Sequence, residues 1–376
     1  MILSEVHNRI AFITLNRPAA LNALSLAMIV ELRSALVQFA ADPNVIAVLI
    51  KGAGEKAFCA GGDIRAIYES YQNSDSLYRD FFVTEYPLDY LLHSYPKPYI
   101  ALIDGIVMGG GMGISQGSRM RIVGDRTRMA MPEVAIGFFP DVGASYFLSR
   151  LAGSLGAYLA LTGVQLRAAD ALYAGLADVY LPRAGVDLLE SELTALKWST
   201  HGGEDWRTAI HGVLQRLSAD PPGAPIAAPP TAPLAAPLAV IHPAIDEHFI
   251  APSVPALLES LEAESRPEFS AWARQTVDLI NTRSPTLLAV TLEQLKRGKS
   301  MSLAQCLRME LGLVRQSFIQ GDFIEGVRAM IIDKDNAPVW RPQRIEEVTD
   351  AAVEAMFTDP WEGATHPLAH LEGVRA

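Results

Sequence analysis

Residues Lys56–Arg65 read KAFCAGGDIR, with Gly61 and Gly62 after a small apolar run and before the acid Asp63. A second bare stretch, Gly105–Gly113, reads GIVMGGGMG. Each follows a β-rich run, NVIAVLI at 44–50 and PYIALI at 98–103. Glycine lets a backbone approach a ligand with no Cβ in the way. Two such loops can aim two backbone N–H groups at one oxygen, which is what an oxyanion hole requires. If Gly110 opens a helix, its N–H has no partner within that helix. Either loop alone would equally suit a tight turn under a closely packed helix.

Outward from these loops the chain alternates strand and helix. RIAFITL (9–15) predicts a strand, and SLAMIVELRSALVQFAAD (25–42) predicts a helix capped by Ser25. Leu26, Ile29, Val30, Leu32, Leu36 and Phe39 give that helix an apolar stripe. An aromatic-rich helical stretch covers 64–93, and helical sequence follows the second loop to about residue 177. Alternation of this kind predicts an α/β fold. The run 219–243 is dominated by Pro and Ala and predicts an extended linker. Helical sequence resumes near Val254, Ser284 caps a helix before Pro285, and DKDNAPVWRP (333–342) predicts a turn with a buried Trp340. The organisation expected is a core over 1–185, a variable segment with the linker over 186–250, and a helical region over 251–376.

With 376 residues, half of them hydrophobic, the chain has ample material for a core. A net charge of −11 leaves no basic footprint for nucleic acid. No apolar run reaches the ~18 residues that span a bilayer. The two cysteines, Cys59 and Cys306, have no metal-binding spacing and suit a reducing compartment. The opening residues, MILSEVHNRIAFITLNRP, read as a strand and not as a leader. A cytoplasmic location is the expectation.

Other chemistries fit poorly. There is no G-x-x-x-x-G-K-[ST] phosphate loop, and GAGEKA is a fragment of a dinucleotide fingerprint without a helix behind it. GISQG (113–117) matches a nucleophile elbow and would make Ser115 a nucleophile, with His211, His242 or His366 as base. A small serine on a packed helix explains it more simply. Among the acids, Glu133 lies in MPEVAIGFFPD, after Pro132 and before an apolar run. Desolvation there would raise its pKa into a range useful for a base. Asp141 follows Pro140 and precedes VGAS, a turn that can fold it back toward Glu133. No His/Asp/Glu cluster with metal-ligand spacing is apparent.

LNRPAALNAL, AFCAGGDI, IDGIVMGGGMG and MPEVAIGFFPDVGASYFLSRLAG together resemble the crotonase (enoyl-CoA hydratase/isomerase) superfamily, strongly over about 5–180 and more weakly near FIEGVRAMIIDKDNAPVWRP. The resemblance implies a spiral of ββα units with a helical C-terminal region. It implies an acyl-CoA substrate, an oxyanion hole from the N–H groups of Gly62 and Gly110, and no cofactor beyond the CoA of the substrate itself. The adenine end would lie along Ala60, Gly61, Asp63 and Ile64, with Arg17 and Lys51 as candidate phosphate contacts. A homo-oligomer is common in the superfamily. Hydratases of this family carry a glutamate three positions after the oxyanion glycine, where this chain has Gly113. CAGGDIR, FFPDVG, LALTG and DKDNAP resemble instead the branch that hydrolyses acyl-CoA thioesters. In that branch Glu133 and Asp141 would act on the thioester and Glu85 would meet the acyl end. From its own surroundings, Glu85 would be a helix-surface acid.

Overall fold

A computed structural model describes residues 1–198, 206–218, 236–361 and 364–371. The β-rich runs of the sequence build two sheets. The larger has the order β1 (Ile2–His7), β2 (Ile10–Leu15), β3 (Ala47–Gly52), β5 (Tyr99–Ile103), β7 (Met120–Val123) and β9 (Val179–Tyr180). The smaller has the order β4 (Ala57–Cys59), β6 (Ile106–Met108) and β8 (Arg128–Ala130). Among the described strands β1 and β2 pair antiparallel and the other pairs are parallel. Parallel pairing needs crossovers, and here they repeat. The pair β3–β4 leads into α2 (Ile64–Asn73) and α3 (Leu77–His93), β5–β6 leads into α4 (Gly110–Gln116), and β7–β8 leads into a 3-10 turn at Glu133–Ile136. Each unit gives its first strand to the large sheet and its second to the small one. This is the expected ββα spiral.

Side chains alternate across the large sheet, as the two-residue strand period requires. Ala11, Ile13, Val48, Ile50, Ala101 and Ile103 join the main core. Ile10, Phe12, Leu49, Ile100, Leu102 and Ile122 face the other way and pack under Leu189, Leu193, Ile210, Val213 and Leu214. Those covering residues come from helices Arg183–Thr194 and Trp206–Ser218. α1 (Leu26–Ala41) starts where expected, with Ser25 accepting from the Met28 N–H. Its buried face is Met28, Ile29, Leu32, Leu36 and Phe39, and Val30 points to solvent instead.

The expected linker over 219–243 needs correction at its end. Pro237–His248 is a helix, begun by a proline at its first position, where no N–H is needed. Residues 219–235 lie outside the described residues. Ser284 caps the helix Pro285–Gly298, and the Trp340 indole N–H donates to the Thr282 carbonyl at 3.0 Å. The later helices press on the segment that follows β8. A Cβ at Gly298 would lie 2.2 Å from the Ser145 carbonyl oxygen, and one at Gly326 would lie 2.3 Å from the Ile136 carbonyl. Only glycine allows these approaches.

Candidate active site

The crossovers of the spiral meet at a cavity of about 220 Å³. Of the residues singled out in the sequence, Ala60, Gly61, Gly62, Ile64, Glu85, Gly110, Glu133 and Asp141 line it. Asp63 does not. It caps α2 through the Ala66 N–H and forms an ion pair with Arg17 at 2.6 Å. Lys51 is paired with Glu190. The two cations expected at phosphates therefore already have carboxylate partners.

β4 and β6 run side by side, so the loops that follow them end together. Ala60, Gly61 and Gly62 after β4 and Gly109 and Gly110 after β6 all line the cavity. A Cβ placed on Gly110 would be 3.3 Å from the Gly62 nitrogen and 2.6 Å from Glu85 Oε1. Neither N–H donates a hydrogen bond among the described residues. Gly61 and Gly109 take φ of +104° and +48°, conformations that non-glycine residues rarely adopt. Both loops thus need glycine for their backbone path as well as for access.

Glu133 begins the 3-10 turn behind Pro132, and Gly137 ends that turn in the left-handed region. Glu133 Oε1 is 2.8 Å from where a Gly109 Cβ would stand, and Oε2 is buried without a partner. Burial, and then the nearby Asp141, push its carboxyl well above the ordinary range. Asp141 folds back as the turn predicts, and the Tyr86 hydroxyl donates to its Oδ2 at 2.8 Å. Burial lifts Asp141 to about 7, and that hydrogen bond pulls it down. Glu85 is buried on α3 rather than exposed, and burial followed by the Asp141 charge pushes it well up. Phe81, Phe82 and Phe138 supply an apolar wall, and Ile331 closes the cavity from the C-terminal region.

Two buried acids whose charges interact with that of Asp141 escaped the sequence. Asp89 sits one helical turn after Glu85 with both carboxyl oxygens unpartnered. The spacing of four in TEYPLDY was the available signal. Glu310, buried on the helix Leu303–Gln320, accepts from the N–H groups of Gly143 at 2.8 Å and Ser145 at 3.0 Å. An acid inside the apolar run LRMELGLV was its signal.

Gly113 has no room for a side chain. A Cβ there would meet Val142 Cβ at 2.6 Å and Asp89 Oδ1 at 2.8 Å. Ser115 is buried, its hydroxyl donates to the Met112 carbonyl at 3.1 Å, and it does not line the cavity. His242 is bonded to the Tyr173 hydroxyl and His366 lies against the Arg308 carbonyl, so neither serves Ser115. Burial pushes the Cys59 thiol up to about 12, which leaves it no thiolate at neutral pH. A second hollow of about 260 Å³ lies along Tyr71, Tyr78 and Phe318, and among the described residues no carboxylate lines it.

A family profile described as enoyl-CoA hydratase/isomerase matches residues 10–357. A Xenopus tropicalis protein named 3-hydroxyisobutyryl-CoA hydrolase, mitochondrial, is 43% identical over 347 residues, covering 92% of this chain and 86% of that protein. The Homo sapiens protein of the same name is 40% identical over 356 residues, covering 95% and 88%. A solved structure titled carnitinyl-CoA dehydratase, from Mycobacterium thermoresistibile, superposes with a TM-score of 0.83 at 39% identity, covering 96% of this chain and 97% of that one. One titled enoyl-CoA hydratase, from Rhodobacter sphaeroides 2.4.1, gives 0.80 at 34% identity with the same coverage. The word "mitochondrial" in both vertebrate names overturns the expectation of a cytoplasmic location. Free cysteines report a reducing environment without specifying which compartment provides it.

Proposed function

The chain belongs to the enoyl-CoA hydratase/isomerase family, and from that premise we propose that it hydrolyses 3-hydroxyisobutyryl-CoA to 3-hydroxyisobutyrate and CoA. The observation that carries this is the meeting of two unpaired N–H groups, from Gly62 and Gly110, with the desolvated carboxyl of Glu133 at one cavity. The thioester carbonyl oxygen lies between the two N–H groups. They stabilise the oxyanion as the tetrahedral intermediate forms, which is where preorganised donors do most. Glu133 delivers the attack, either on the carbonyl carbon itself, giving an acyl-enzyme anhydride that water then hydrolyses to release the acid and free Glu133, or by taking a proton from water that attacks the carbonyl directly. Collapse of the intermediate breaks the C–S bond, and the sulfur leaves with a proton. Asp141, held by Tyr86, orients the water or the substrate hydroxyl. Glu85 meets the polar acyl end against the phenylalanine wall. CoA belongs to the substrate, and the mechanism calls on no further cofactor.

The names of the two solved structures favour a second reading, hydration or dehydration of an enoyl-CoA. The closed space at Gly113 opposes it, since no second carboxylate fits there. One set of assays separates the two. Glu133→Gln should lose about 10²–10⁴-fold in thiol release from 3-hydroxyisobutyryl-CoA while still binding the ester. The wild-type protein should leave the absorbance of crotonyl-CoA unchanged. Near-normal turnover by Glu133→Gln would exclude that residue, and rapid loss of enoyl absorbance would favour the hydratase.

A further inference from the structure

The turn that carries Asp141 is strained. Val142 has φ of +53° and Gly143 φ of +88°. A β-branched residue in the left-handed region is a genuine outlier and persists only when its surroundings hold it there. Three contacts hold this one, and two come from the C-terminal helices. The Gln294 side chain donates to the Pro140 carbonyl. The Tyr86 hydroxyl donates to Asp141 itself. Glu310 accepts from the N–H groups of Gly143 and Ser145 and from the Ser145 hydroxyl, all of them buried. Burial pushes Glu310 up to about 8, while its donors pull the other way.

A buried acid is costly unless its hydrogen bonds are made. Glu310 spends that cost on the residues immediately after Asp141. We propose that Glu310 is a positioning residue for Asp141: its carboxyl clamps the Gly143–Ser145 N–H groups, keeps Val142 left-handed and so turns the Asp141 side chain into the cavity. This rests on the role given to Asp141 above.

Glu310→Gln keeps the size of the side chain but sets an amide N–H₂ against one of the backbone N–H groups. In thiol release from 3-hydroxyisobutyryl-CoA, its kcat should fall about 10–100-fold with KM within about threefold. Val142→Gly relieves the strain, because glycine takes positive φ without a clamp. The double variant Glu310→Gln/Val142→Gly should therefore recover about tenfold over Glu310→Gln alone. A purely structural glutamate would show the reverse, since truncating Val142 would only loosen the protein further. If Glu310→Gln does not fold, Ser145→Ala weakens the same clamp and should lower kcat about 3–10-fold, again with recovery on adding Val142→Gly. Wild-type kcat in the clamp variant, or no recovery on adding Val142→Gly, overturns the proposal and leaves the role of Asp141 standing. Asp141→Asn tests that role separately. Wild-type turnover there would remove Asp141 from the mechanism whatever Glu310 does.

Discussion

At the residue scale, the site is a group of acids kept out of water. Glu85, Asp89, Glu133, Asp141 and Glu310 are all buried, and burial is the first cause of every upward shift among them. Glu133 and Asp141 were legible because proline and apolar neighbours betrayed their burial. Glu85 was legible only through the resemblance, since a helix acid looks alike in sequence whether its face turns in or out. Glu310 was missed because its partners, two backbone N–H groups and the Ser145 hydroxyl, lie at least 165 residues away in the chain. The pair Glu133/Asp141 should give kcat/KM an acid limb, with Asp141 near 7. The Tyr86 hydroxyl favours the ionised form of Asp141, so Tyr86→Phe raises that pKa. The acid limb should move to higher pH and activity at pH 7 should fall. A limb that stays put, or moves down, would show that Asp141 does not titrate in the rate profile.

At the element scale, the spiral could be read from strand runs and glycine loops, because each unit repeats one local pattern. The docking of the later helices could not. It depends on glycines meeting backbone far away in sequence: a Cβ on Gly326 would run into the Ile136 carbonyl, and one on Gly137 would lie 2.3 Å from the Asp322 carbonyl oxygen. Gly326→Ala pushes a methyl group into the turn that begins at Glu133. Overpacking of that kind costs about 1–3 kcal/mol. Urea denaturation should report a loss of that size, with a drop in kcat as Glu133 shifts. An alanine variant as stable and as active as wild type would show that the contact yields freely. The linker was misjudged at its end for a related reason. Proline opens the helix Pro237–His248 and a second proline, Pro243, lies within it, so composition alone suggested extended chain.

At the scale of the whole molecule, the buried acids set a pH dependence of stability. A carboxyl raised on folding stabilises fully below its unfolded pKa, near 4, and that contribution is lost as pH rises through the folded value. For Asp141 and Glu310 the folded values are about 7 and about 8. Glu264 opposes this, since hydrogen bonds from Arg266 hold it low and it favours the fold at higher pH. Asp75, Glu325 and Asp335 are likewise held low by hydrogen bonds, but acids of this kind have made their full contribution once the pH is above their unfolded values, so it does not change between pH 6 and pH 9. Melting should come several degrees higher at pH 6 than at pH 9, on the order of 5 °C. A melting point that rises toward pH 9 would mean that the interior admits water. The glycines that let helices 285–298 and 322–327 press on the Glu133–Ser145 segment have a further consequence. Energetically, the cavity carboxylates Glu133 and Asp141 belong to the last third of the chain, although they lie in its middle. Proteins open in cooperative parts as well as all at once. An excursion that lifts only the C-terminal helices would leave both sheets paired yet silence the enzyme. Turnover is then a gauge of local opening. In a urea titration, thiol release should vanish before the far-ultraviolet signal changes, and amides of the 303–320 helix should exchange faster than those of β3 and β5.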